Sequence, residues 1–209
     1  RIARNLGDLA LETRCLNIIG CVHFARGDRT ASAATLHACV NAARQVGYAH
    51  IEAMAQSNVG CIHADTGELE RAEECFRAAL QACKRTHNRR GVGVNLCELA
   101  IVAQERGNDT AAQRYFKRAV DALNGVGDRQ RLAYCRFYQG CFELERREHR
   151  YAASLLRTAA AFFETAGNDR LWAHATALLG LLHATAGAHE EAARLIHEAG
   201  RVAHSQGDP

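Results

Sequence analysis

Nine cysteines and eleven histidines are the residues here with most chemistry to offer, and several of them keep a fixed interval. Cys21, Cys61 and Cys141 stand at multiples of 40 residues, as do Cys15 and Cys135, and His23 and His63 with His183. Thiol rows could make disulfides or hold zinc, and an imidazole row could sense pH near neutrality. If 40 residues make one structural unit, however, column-mates sit a helix-packing distance of about 8–10 Å apart. A disulfide needs Cα atoms within about 7 Å and zinc holds each sulfur at about 2.3 Å, so column-mates can do neither. Small apolar filling is then the role of the cysteines. Cys61 and Cys97 are the one pair that neighbouring units could bring together diagonally for redox chemistry. His183, His189 and His197 fall on two helices and a turn with no fourth ligand, so no metal is expected. The histidine row reads as imidazoles half-buried between helices.

Other signatures of catalysis are missing. No glycine-rich phosphate loop, Gly-x-Ser-x-Gly elbow, His-Glu-x-x-His helix or Cys-x-x-Cys pair occurs, and no enzyme activity or cofactor is expected. A formal charge of +3 is too small to argue for nucleic acid. No apolar run is long enough to span a membrane, and the N-terminus lacks the layout of a signal peptide. With an odd number of cysteines and no export signal, a reducing cytoplasm is the expected compartment.

The elements that must position these residues come from the same interval. Gly7, Gly47, Gly127, Gly167 and Gly207 form one column, with His87 in the missing place. Gly20, Gly60, Ala100, Gly140 and Gly180 form a second, and Gly27, Gly67, Gly107 and Gly187 a third, interrupted by Arg147. Ser32, Ala72, Ala112, Ala152 and Ala192 follow, then Leu36, Phe76, Phe116, Leu156 and Ile196, then Cys39, Ala79, Ala119, Ala159 and Ala199. With 40 alanines and its one proline at position 209, the chain can be almost wholly helical. Apolar residues recur at steps of three and four from Leu9, glycine ends each helix, and Asp28 and Thr30 suit the start of the next. The spacing predicts two helices per unit. The small columns let paired helices approach, with Phe76 wedged between neighbours. The break at Arg147, with Arg136 and Gln139 on the preceding helix, predicts a looser or kinked fourth unit.

The columns Gly60, Gly67, Ala72, Phe76 and Ala79 resemble the signature of tetratricopeptide repeats, over nearly the whole chain. The 40-residue period resembles the longer-helix variety of bacterial signalling ATPases, helical-sensor transcription activators and regulated cyclases. Arg44 and Lys84 depart from the consensus, standing where proline is common. The resemblance implies an all-α, right-handed α-solenoid forming a single domain over residues 1–209, with units 7–46, 47–86, 87–126, 127–166 and 167–206. Residues 1–6 would end a preceding unit, and apolar Leu195, Ile196 and Val202 on the last helix point to a piece of a longer protein.

The resemblance also implies a groove lined by the first helix of each unit. In the first unit it assigns Arg14, Asn17, Cys21 and Phe24, and in the second Met54, Ser57, Cys61 and Asp65. Val94, Cys97, Ile101 and Glu105 follow, then Tyr134, Phe137, Cys141 and Leu144, then His174, Ala177 and Leu181. The occupant implied is a protein or peptide, or an adjacent domain of the parent protein. Asn17 and Asn58 alone resemble the carboxylate clamp of chaperone-binding relatives. The expected role is a protein-binding scaffold or sensor of a bacterial regulatory protein. One alternative is an effector receptor, for a signal peptide or small molecule, that controls a linked output. Another is a nucleic-acid-binding solenoid using Lys84, Arg85, His87, Arg89, Arg90, Arg129, Arg131 and Arg170 along one edge.

Overall fold

The computed structural model describes residues 8–205, which hold ten α-helices and no strand. They are α1 (Leu9–Ala25), α2 (Arg29–Gln45), α3 (Ala49–Asp65), α4 (Leu69–Arg85) and α5 (Arg89–Glu105), then α6 (Asp109–Gly125), α7 (Arg129–Glu145), α8 (His149–Thr165), α9 (Asp169–Thr185) and α10 (His189–Ser205). Each has 17 residues, a length of about 25 Å. The expectations that fall on residues 1–7 and 206–209 lie outside the described residues.

The turns explain this regularity. After α1, Gly27 adopts φ +79° and the Asp28 N–H reaches back 3.0 Å to the His23 carbonyl. Glycine takes this left-handed conformation without steric penalty. The Asp28 side chain then accepts the Ala31 N–H at 3.0 Å and starts α2. One three-residue turn therefore stops one helix and begins the next. Asn88, Asn108, Asp128 and Asn168 cap later helices in the same way.

Two turns do this without glycine. His87 and Arg147 sit at φ +51° and +62°. The expected loosening at Arg147 does not occur: α7 is continuous, and the Glu148 N–H still bonds the Glu143 carbonyl at 2.9 Å. Two polar side chains before it find partners, one across the hairpin and one at the end of its own helix. Gln139, buried, donates to the Tyr151 hydroxyl at 3.3 Å. Glu143, also buried, meets Arg146 at 2.9 Å, and that guanidinium covers the Phe142 ring. A side chain held at positive φ costs roughly 1–2 kcal/mol, partly offset in a glycine by its freer unfolded chain. Arg147→Gly is therefore expected to stabilise the protein by about 1 kcal/mol, read as a raised urea midpoint at unchanged slope.

Inside each hairpin the glycine column meets the large column. A Cβ added to Gly20 would lie 2.5 Å from Leu36, at Gly60 2.7 Å from the Phe76 ring, and at Gly140 2.8 Å from Leu156. The helices have closed to the distance that only a missing side chain permits. Phe76 lies over Gly60 of its own hairpin and is fully buried.

The chain divides into two compact units, α1–α6 up to Val126 and α7–α10 from Gly127. In the first, Leu36, Cys39, Val40 and Ala43 of α2 pack with Ile51, Ala55, Val59 and Ile62 of α3. In the second, Phe137, Leu156, Phe163, Leu179 and Leu182 form the core.

Candidate binding groove

In the first unit, first helices are neighbours in sequence order, α1 beside α3 and α3 beside α5. Steps of three and four place each helix's assigned residues on one face. Arg14, Cys21, Phe24 and Met54 are exposed there; Ser57, Cys61, Val94 and Ile101 are half-buried. Asn17 and Cys97 are buried. Asn58 ties α3 to α1, its amide donating to Asn17 Oδ1 at 3.2 Å and to the Cys21 sulfur at 3.3 Å. Asn58 is one residue off the lining column, and only the clamp resemblance pointed to it. Asp65 is paired with Arg29. Burial pushes the Glu105 carboxyl above its ordinary pKa.

In the second unit, Tyr134, Cys141 and Leu144 of α7 are half-buried, while His174 and Leu181 of α9 are exposed. Phe137 is not surface. It is 7% exposed and belongs to the core, its ring 6.3 Å from that of Phe163 and 5.3 Å from that of Tyr138. Tyr134 also stands edge-on to Phe163 at 5.5 Å. The accessible part of this face is therefore His174 and Leu181, with the edges of Tyr134 and Leu144.

Thiol chemistry has little support at these positions. Burial raises the Cys21 thiol, and burial with the neighbouring Glu145 pushes Cys141 up to about 11. Burial likewise pushes Cys39, whose sulfur donates to the Thr13 carbonyl, to about 11. Because the folded values lie above the unfolded thiol value, the stability these groups contribute is complete below pH 9.0 and falls as pH rises toward about 11. The protein's urea midpoint should fall across that interval, and the Cys39→Ala, Cys141→Ala double variant should show a shallower fall. No disulfide joins the nine cysteines. Among the described residues no group of three or more His, Cys, Asp or Glu is placed to hold a metal ion, and no helix is long and apolar enough to cross a membrane. His23, His63 and His183 are half-buried, as their column implies.

Of the basic residues at the α4–α5 turn, Arg85 shares a carboxylate with Arg44 of α2. Arg85 and Arg44 both pair with Glu52, at 3.3 and 2.8 Å. Asn88 lies 3.5 Å from His50.

Residues 51–125, spanning α3 to α6, match the tetratricopeptide repeat family. These are tetratricopeptide repeats. The chain as a whole matches solved structures along almost its full length. BtubC (BKLC) from P. vanneervenii is 15% identical with a TM-score of 0.81, over 99% of this chain and 87% of that one. The apo form of RapI is 17% identical with a TM-score of 0.80, over 93% of this chain and 69% of that one. A Rap protein complexed with Competence and Sporulation Factor is 14% identical with a TM-score of 0.79; the match covers 95% of this chain and 56% of that one. At such identities the likeness is one of fold. No curated protein sequence matches the chain.

Proposed function

We propose that this tetratricopeptide array is a protein- or peptide-binding module of a larger bacterial regulatory protein in the cytoplasm, with no chemistry of its own. The observation that carries the reading is the exposure of large apolar side chains on the first-helix faces. Phe24 and Met54 are 38% and 41% exposed in the first unit, and Leu181 is 49% exposed in the second. Beside them, the Asn58 amide bridge supplies hydrogen-bonding groups of the kind an extended backbone uses. Apolar surface with convergent polar groups is what a peptide groove needs. The fold shared with a Rap protein complexed with Competence and Sporulation Factor supports the same reading. Pairing of Arg85, a member of the basic edge, with Glu52 weighs against the nucleic-acid alternative.

The test is selection from a displayed peptide library, with helicity checked by circular dichroism. The wild-type chain should enrich a consensus peptide, and Met54→Glu or Leu181→Glu should lose it at unchanged helicity. Enriched peptides that ignore both substitutions would refute the groove.

A further inference from the structure

A second site lies away from the first-helix faces, in the first unit. A cleft of about 430 Å³ opens between α4 and α6, at the turn that joins α5 to α6. Three guanidinium groups reach it from three helices: Arg77 of α4, Arg106 just beyond the end of α5, and Arg114 of α6. Against them the cleft lining holds one carboxylate, Glu73, which meets both Arg77 (2.6 Å) and Arg106. Glu70 reaches Arg106 at 3.4 Å from the rim, where its side chain is 74% exposed. Arg114 has a different partner. Its guanidinium lies 5.5 Å from the centre of the Tyr115 ring. A cation held over an aromatic face is oriented without being neutralised, so its donors stay open to an anion.

Tyr115 is the second feature. The corresponding positions in the other repeats are Thr35, Cys75, Leu155 and Leu195, so packing the hairpin does not require an aromatic. Tyr115 is half-buried, and with Glu73 it holds the Arg77 guanidinium above its ordinary pKa. Glu73 is equally particular to this repeat, its counterparts being Ala33, Gln113, Ala153 and Ala193. Ala103 and Ala111 leave the remaining wall open.

Three guanidinium groups against Glu73, with Glu70 at the solvated rim, leave an excess of positive charge for an anion. The volume exceeds what a bare phosphate fills and reaches the range of small-ligand sites. Forked guanidinium donors are the protein groups best shaped for phosphate oxygens. We infer that this cleft binds a small phosphate monoester, its phosphate between Arg77, Arg106 and Arg114 and its organic part along Tyr115. The site is independent of the proposed peptide groove.

Phenyl phosphate and inorganic phosphate are the probes, titrated calorimetrically into the whole chain at low salt. Phenyl phosphate should bind saturably and more tightly than inorganic phosphate. Arg114→Gln should weaken it about tenfold or more, as expected for a lost hydrogen bond to a charged group. Arg157→Gln should leave it unchanged; Arg157 is an exposed α8 residue at the position equivalent to Arg77. Arg114 is exposed, so its variant should keep wild-type helicity. Absence of saturable binding would overturn the site. So would equal weakening by Arg157→Gln, which means a diffuse charge effect. Equal affinity for the two probes would overturn the ester assignment.

Discussion

Phe76→Ala should destabilise the first unit by about 3–5 kcal/mol, the usual cost of emptying a fully buried aromatic position. Gly60→Ala should cost about 1–3 kcal/mol, because the new methyl would lie 2.7 Å from that ring and the helices would have to part. The informative variant is the double one. With the ring gone, the Gly60 methyl enters space that Phe76 left, so the two costs should fall short of additivity by about 1 kcal/mol or more. Gly67→Ala is the control. Nothing lies near its added Cβ, but it sits at φ +76°, so it should lose about 1 kcal/mol from backbone strain alone and add fully to Phe76→Ala. Urea denaturation of the three single variants and the two double mutants measures all of this. Strict additivity of Gly60→Ala with Phe76→Ala would mean that the ring does not dictate helix separation.

The helices and their pairing were legible because each column had one physical cause. A glycine at 27, 67, 107 or 187 reports a left-handed turn, and one at 20, 60, 140 or 180 reports the residue across the hairpin. Arg147 shows where this reasoning stops. The turn's backbone hydrogen bonds hold the left-handed geometry without glycine, so a broken column did not mean a broken turn.

The groove was less legible because a column position does not reveal depth. Depth depends on the side chain opposite, and that varies from repeat to repeat. Ala43, Cys83, Leu123 and Phe163 occupy one buried column of growing size. Only in the second unit does Phe163 reach the lining column and draw Phe137 into the core. The arginine cleft was invisible for the opposite reason. Glu73 and Tyr115 recur in no other repeat, and Arg77, Arg106 and Arg114 converge on them only after three elements are folded together.

Phe137→Glu follows from that difference in depth. Placed as a groove residue, it would be a harmless surface change that removes binding. Buried at 7% exposure among Phe163, Tyr138 and Leu156, it should instead cost more than about 4 kcal/mol. The loss combines the aromatic contacts with an unpaired carboxylate forced into an apolar site. That is a large share of the 5–15 kcal/mol a typical domain holds, so the second unit should be substantially unfolded. Phe137→Leu, which keeps most of the apolar volume, should recover most of the loss. Leu181→Glu, at a position 49% exposed, should stay within about 0.5 kcal/mol of wild type. Thermal melts followed by circular dichroism separate these outcomes. A Phe137→Glu protein that melts like wild type would place this ring on the surface and return it to the groove.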